Sequence, residues 1–82
     1  MRKAIIEIVK NYKFPVIIEE DASGFFVSCP AIQGCYSQGT TYEEAITNIK
    51  DAIRLHLADL LENAEKIPKT KSVSVATVEV VA

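Results

Sequence analysis

Residues 41–62 read TYEEAITNIKDAIRLHLADLLE, and this stretch predicts the largest element of the fold. It opens with a capping box, in which the Thr41 hydroxyl accepts the amide proton of Glu44 and the Glu44 carboxylate reaches back to the Thr41 amide. Apolar residues then recur at i, i+3 and i+4, which is typical of one face of an α-helix. They are Tyr42, Ala45, Ile46, Ile49, Ala52, Ile53, Leu57, Leu60 and Leu61. A helix of about 22 residues would be about 33 Å long, enough to cover one face of a small sheet.

Upstream of the helix, the sequence predicts three short antiparallel strands. The first is expected at residues 12–20, where Pro15 either begins the strand or places the stretch at a sheet edge, because proline cannot donate to a ladder. The DASG sequence at 21–24 predicts a turn, since Asp bonds its own backbone and Gly tolerates a positive φ. The return strand is expected at 25–29, and after a loop a third short strand is expected at 35–38.

Downstream of the helix, the sequence predicts one more strand. The Ile-Pro pair at 67–68 marks the end of the helical region, because proline cannot continue a helix. Residues 72–80 are rich in valine and predict a last strand, parallel to a neighbour if the crossover is right-handed. The predicted fold is α+β, a two-layer β-β-β-α-β domain over residues 1–82 with its core at 12–80. Residues 1–11 form an N-terminal extension, for which a short helix and a loose extension both remain open.

Length and composition restrict the classes of protein to consider. The chain has 82 residues, a net charge of −2 and 49% hydrophobic residues, which indicates one globular domain. No apolar run approaches the roughly 18 residues of a membrane span, and the N-terminus lacks the features of a secretory signal, so we expect a cytoplasmic protein and no membrane partner. The acidic balance also argues against direct DNA binding. One helix cannot cover both faces of a four-stranded sheet, so we expect a partner on the exposed face or edge, and a homo-oligomer.

Cysteine and histidine residues give no metal-binding pattern. Cys29 and Cys35 lie six positions apart and His56 is the only histidine, so a zinc site would be one ligand short. A single disulfide would be uncommon in a chain without a signal peptide. We therefore expect both cysteines to be small buried hydrophobic residues, and we expect no cofactor and no bound metal.

Several short motifs occur in a characteristic order. GFFVSCP at 24–30 is followed by GCYSQGTTYEEA at 34–45, by NIKDAI at 48–53 and by the Ile-Pro pair at 67–68. This series resembles the HicB-like antitoxin family over nearly the whole chain. The resemblance implies a partial ribonuclease H-like sheet with one long helix on one face. It also implies an antitoxin that binds and neutralises a small, basic, RNA-cleaving toxin of the HicA-like kind, and shields the catalytic histidine of that toxin.

Most residues of the family motif have a structural explanation, as turn glycines, a strand-ending proline, a helix cap and a small helix residue. They are Gly24, Pro30, Gly34, Cys35, Gln38, Gly39, Thr41, Glu44 and Ala45. Many family members carry an additional C-terminal DNA-binding segment, but this sequence ends at Ala82, so we do not expect a DNA-binding role for it. Thr40 stands where family members often have Asp, and Thr41 still supplies the cap.

The acidic residues suggest two different functions. In the leading hypothesis, an acidic patch occupies the basic surface of a toxin in place of phosphate. The expected partner-binding residues are Glu19, Glu20, Asp21, Glu43 and Asp51. The same fold could instead serve an orphan structural or RNA-associated module. A metal-dependent ribonuclease would need several converging carboxylates, but Glu44 is better explained as a cap and Asp51 as the partner of Arg54, so we expect no enzyme activity and no catalytic residue.

Overall fold

The computed structural model describes residues 11–69 and 72–82, and its regular elements are three strands followed by one helix. They are β1 (Ile17–Asp21), β2 (Gly24–Ser28), β3 (Tyr36–Gly39) and α1 (Tyr42–Glu62). The strands form one antiparallel sheet in the order β1-β2-β3. This architecture confirms the predicted α+β class.

The β1–β2 hairpin forms at the predicted turn. The Ser23 amide donates to the Asp21 carboxylate at 2.7 Å, which is the local bond expected of Asp in a turn. Gly24 has a φ of 131°, a value that side chains rarely allow. The first strand was predicted from residue 12, but it begins only at Ile17, because Pro15 has no N–H to give to a ladder.

A tight loop connects β2 to β3 and continues their register. The Cys29 amide donates to the Cys35 carbonyl at 3.0 Å, and the Ile32 and Cys35 amides donate to the Cys29 and Ile32 carbonyls at 3.1 and 3.2 Å. Gly34 has a φ of 78°, in the left-handed region that favours glycine. β3 begins at Tyr36, one residue later than predicted.

The helix begins at the predicted cap, but half of the capping box differs. The Thr41 hydroxyl accepts the Glu44 amide proton at 3.1 Å, as expected. The Glu44 carboxylate was predicted to bond the Thr41 amide. It accepts instead from Thr40, from the amide at 3.4 Å and from the hydroxyl at 3.1 Å. The threonine hydroxyl at position 40 is a second donor within reach and draws the carboxylate one residue further back.

The core lies between the helix and the inner face of the sheet. Its buried residues are Val27, Cys29, Ile32, Cys35, Ala45 and Ile49. The backbones approach closely at Gly39, where an added Cβ would lie 2.6 Å from the Ala45 nitrogen. Two polar bonds reinforce this contact: the Ser37 hydroxyl donates to the Ala45 carbonyl at 3.2 Å, and the Asn48 side-chain amide donates to the Gln38 backbone carbonyl at 2.8 Å.

The helix is longer than the sheet it covers. Its 21 residues span about 31 Å, whereas strands of four or five residues span about 13 to 17 Å. The N-terminal half of α1 supplies the buried residues Ala45 and Ile49, and Leu55 and Leu61 in the C-terminal half are exposed. The helix ends at Glu62 and is capped by Asn63, whose side-chain amide donates to the Asp59 carbonyl at 2.9 Å.

The predicted last strand does not form. Residues 72–82 carry no strand pairing and are exposed along their whole length. Strand propensity is a preference for a half-buried, paired position, so valine-rich sequence alone does not make a strand without a neighbouring edge. The predicted extension at 1–11 lies almost entirely outside the described residues.

Candidate functional site

The sheet has one face that no element of the described residues covers. Side chains alternate along each strand, so the residues that precede and follow the buried Val27 in β2 point away from the helix. We call this the outer face, and its members are Ile17, Glu19, Phe26, Ser28, Tyr36 and Gln38. Two rows cross the three strands, Glu19–Phe26–Gln38 and Ile17–Ser28–Tyr36.

An aromatic pair lies in the middle of the outer face. The Phe26 and Tyr36 rings stack with their centroids 5.9 Å apart, across the diagonal between β2 and β3. Phe26 is 44% exposed and Tyr36 is 60% exposed. An exposed aromatic pair on a sheet is a feature of protein-binding surfaces, because aromatic side chains bury much area with few rotatable bonds.

Acidic side chains border this pair at one end of the sheet, where β1 ends, β2 begins and α1 begins. Glu19, Asp21 and Glu44 line an open hollow of about 820 Å³, together with Phe26 and Gln38. We call it the acidic hollow. Asp21 is held by its bond from the Ser23 amide, and Glu44 is held by its bonds from Thr40. The strand register places Glu19 directly beside Phe26.

The structure therefore brings together only some residues of the predicted acidic patch. Glu19 and Asp21 lie in the acidic hollow, whereas Glu20 is exposed on the opposite face of β1, in register with Phe25. Glu43 is exposed in the first turn of α1. Asp51 lies eight residues further along the helix, about 12 Å away, and binds Arg54 at 2.8 Å.

Phe26 and Tyr36 are not among the partner-binding residues predicted from the sequence. The alternation of β2 was the available signal, because it places one of two consecutive phenylalanines on each face of the sheet. Phe25 packs towards the core and meets Tyr42 edge-on at 6.1 Å, which leaves Phe26 outward. Glu44 was assigned to the cap only, and its position shows that a capping carboxylate can also line a surface.

The residues of the family motif lie mainly at turns and at the contact between sheet and helix. Gly24, Gly34 and Gly39 occupy turns or close approaches, Cys35 and Ala45 are buried, and Pro30 follows the end of β2. Gln38 differs from these. Its backbone carbonyl accepts a hydrogen bond from the Asn48 side chain, and Gln38 also lines the acidic hollow.

The buried cysteines face each other at the loop between β2 and β3. Both are free thiols. Burial raises the pKa of the Cys35 thiol, and the neighbouring Cys29 and a hydrogen bond with it act in the same direction. The protonated thiol is thereby favoured, which is the opposite of what a reactive cysteine or a metal-ligating thiolate needs.

The carboxylates of the acidic hollow do not converge as metal ligands. Within residues 11–69 and 72–82, no three His, Cys, Asp or Glu side chains are grouped so that they could hold a metal ion. The described part of the chain also contains no helix long and apolar enough to cross a membrane.

Comparison with known proteins supports one family. A family model described as the HicB-like antitoxin of bacterial toxin–antitoxin systems matches residues 14–80. A UPF0150 protein of Thermoplasma acidophilum is 47% identical over 58 residues, which cover 70% of this chain and 84% of that protein.

Two solved structures share the fold. The N-terminal domain of the Burkholderia pseudomallei antitoxin HicB is 36% identical with a TM-score of 0.65, covering 73% of this chain and 72% of that one. A chain of the HicA3 and HicB3 toxin–antitoxin complex is 27% identical with a TM-score of 0.59, covering 72% of this chain and 70% of that one. With its strand order, its capped helix and its family match over residues 14–80, this chain belongs to the HicB-like antitoxin family.

Proposed function

We propose that this protein neutralises a small RNA-cleaving toxin of the HicA-like kind by binding it, and that it does so without enzyme activity of its own. Membership of the antitoxin family supports the proposal, as does the similarity to a chain of the HicA3 and HicB3 complex. A toxin that acts on RNA is found where RNA is translated, so we place the antitoxin in the cytoplasm as well.

The observation that carries the proposal is the uncovered outer face, with its aromatic pair beside the acidic hollow. Phe26 and Tyr36 offer an apolar anchor of the kind that dominates binding energy at protein interfaces. Glu19 makes no ion pair or hydrogen bond within the described residues, so its charge is available to a partner. A protein that engages RNA presents a basic surface, and carboxylates beside the anchor take the place of phosphate groups there.

Of the acidic residues predicted to contact the toxin, Glu19 and Asp21 are the strongest candidates. They lie in the acidic hollow next to Phe26. Glu20 and Glu43 are exposed near the same end of the sheet and contribute to its negative potential. Asp51 is the weakest candidate, because it lies outside the acidic hollow and already pairs with Arg54 at 2.8 Å.

The direct test is binding to a basic protein of about 60–90 residues encoded beside this chain, which is the size expected of a single small domain. We expect co-expression to relieve toxicity and calorimetry to detect a complex. Tyr36→Ala removes half of the aromatic anchor, so it should weaken binding by about thirtyfold.

A pair of charge reversals tests the electrostatic part. Glu19→Lys should weaken binding about tenfold, mainly through slower association at low salt. Glu65→Lys makes the same change in an exposed residue beyond the end of α1 and should leave binding within about twofold. Equal effects of the two variants would refute the assigned surface. Absence of any complex would instead favour an orphan structural or RNA-associated module.

A further inference from the structure

A second apolar surface lies on the other side of the molecule, beside β1. An open groove of about 560 Å³ runs between the segment that precedes β1 and the helix. Its apolar side chains are Tyr12, Phe14, Val16, Ile46, Ile53 and Leu57. The helix packs on β2 and β3, so the layer above β1 is incomplete.

The β1 strand also has an unpaired edge. It lies first in the strand order and pairs only with β2 among the described residues. The backbone N–H and C=O groups on its other side, next to the groove, bond no backbone group of residues 11–69 and 72–82. A free edge beside an unfilled apolar groove is suited to accept one further strand.

Residues 72–80 have the composition of that strand. Val75 is 91% exposed and Val78 is 79% exposed, and the segment forms no backbone pairing in the described residues. Alternation places Ala76, Val78 and Val80 on one face, and Val73, Val75, Thr77 and Glu79 on the other. The first face carries no charge and is suited to burial in the groove, whereas the second carries the Glu79 carboxylate and suits the solvent side. The family match extends to residue 80, so the segment belongs to the family domain and is not an unrelated tail.

The segment at 72–80 and the β1 edge with its groove agree in length. Nine residues in strand conformation span about 30 Å. Residues 11–21, which comprise β1 and the extended stretch before it, span about 36 Å at the same rise, so the groove and the edge together can accommodate the whole segment.

We propose that two copies of this chain exchange residues 72–80, so that the segment of each copy forms a fourth strand on the β1 edge of the other. Among the described residues, each chain carries both an unpaired strand-like segment and an unpaired edge, and a two-fold axis pairs both at once. In the structure of the single chain, the segment stands clear of its own groove and is exposed throughout. Exchange also enlarges a core that is small for an independent domain.

In this arrangement, Ala76, Val78 and Val80 face the helix and fill the groove against Ile46, Ile53 and Leu57. Val78 and Val80, which are 79% and 78% exposed in the single chain, then become buried, and the β1 edge of each copy becomes paired. The outer face is on the opposite side of the sheet and stays accessible, so exchange does not depend on toxin binding.

The test is an NMR experiment on the full chain. Isotope-labelled and unlabelled protein are unfolded together, refolded and examined by isotope-filtered NOE spectroscopy, with sedimentation analysis of the same sample. We expect a species of twice the 9.0 kDa chain mass at micromolar concentration. We also expect intermolecular NOEs between residues 72–80 and β1. A monomer, NOEs within one chain only, or a dimer without NOEs from this segment would overturn the proposal.

Proline substitutions test the ladder itself. Consecutive amides of a strand point to opposite edges, so either Ala76→Pro or Thr77→Pro must remove a bond to β1. Because the loss occurs twice in a symmetric pair, the more affected variant should raise the dimer dissociation constant at least about tenfold. Ala82→Pro lies beyond the segment and serves as the control, with a change below about twofold. Equal dimerisation of all three variants would contradict exchange, and unchanged amide spectra of β2 and β3, which lie away from the β1 edge and the groove, would show that the domain remains folded.

Discussion

The close approach of β3 to the helix makes Gly39→Ala a sensitive test of the packing. An added Cβ would lie 2.6 Å from the Ala45 nitrogen and 3.0 Å from both the Ala45 Cα and the Glu44 carbonyl carbon. All three atoms belong to the backbone, so no side-chain rotation relieves the contact. Reaching an ordinary separation of 3.4 Å requires the start of α1 to move by at least 0.8 Å, which is 3.4 minus 2.6.

Such a movement also weakens the two polar bonds that join the layers. The Ser37–Ala45 bond of 3.2 Å and the Asn48–Gln38 bond of 2.8 Å would both lengthen beyond good geometry. Overpacking costs about 1–3 kcal/mol, and each lost bond adds about 1 kcal/mol, so we expect a loss of about 2–4 kcal/mol. At about 4–8 °C per kcal/mol for a small domain, the melting temperature should fall by about 10–30 °C.

The measurement is urea unfolding followed by circular dichroism, with Gly34→Asn as the control. Gly34 has no neighbour within 4 Å of an added Cβ, and Asn tolerates its positive φ, so this variant should change stability by less than about 1 kcal/mol. If Gly39→Ala were as stable as the original chain, the close packing of helix and sheet would be refuted.

Three further predictions concern the cap, the buried thiol and the surface ion pair. Thr41→Ala should cost about 1 kcal/mol in urea unfolding because it removes the acceptor of the Glu44 amide; a loss equal to that of Thr47→Ala would contradict the cap. Because the pKa of Cys35 is raised, the folded protein keeps the thiol proton to higher pH than the unfolded chain does, so the free energy of unfolding should fall as pH rises above about 8.5. A free energy of unfolding that stays constant at alkaline pH would contradict this. Asp51→Ala should change stability by less than about 0.5 kcal/mol, because its pair with Arg54 is exposed; a larger loss would show a buried role.

Local chemistry made the helix and the hairpin predictable from the sequence. The Thr41 cap and the apolar spacing that follows depend only on residues within one or two turns of each other. The turn before Gly24 depends likewise on Asp21 and its immediate neighbours. Such short-range signals are present in the sequence itself, and apart from the later start of β1 the structure places these elements within a few residues of the predicted bounds.

Features that depend on tertiary neighbours could not be predicted in the same way. The strand expected at residues 72–80 needs an edge to pair with, and its sequence does not say which chain supplies that edge. The expected acidic patch combined residues that are near in sequence, whereas Glu20 points to the opposite face from Glu19. Alternation along β1 separates these two neighbours, whereas the packing of α1 against the sheet brings Glu44 to the hollow beside Asp21, and that packing is not visible in the sequence.

The glycine contacts at the acidic end of the sheet have a consequence for the kinetics of recognition. An added Cβ on Gly24 would lie 2.5 Å from the Gly39 carbonyl oxygen, so the hairpin turn rests directly on the end of β3, which in turn rests on the helix. Because backbone packs directly on backbone here, little conformational entropy remains to be lost on binding. A partner therefore meets a surface that already has its bound conformation. Association should therefore proceed as a rigid-body encounter whose rate responds to ionic strength, with no slow rearrangement step.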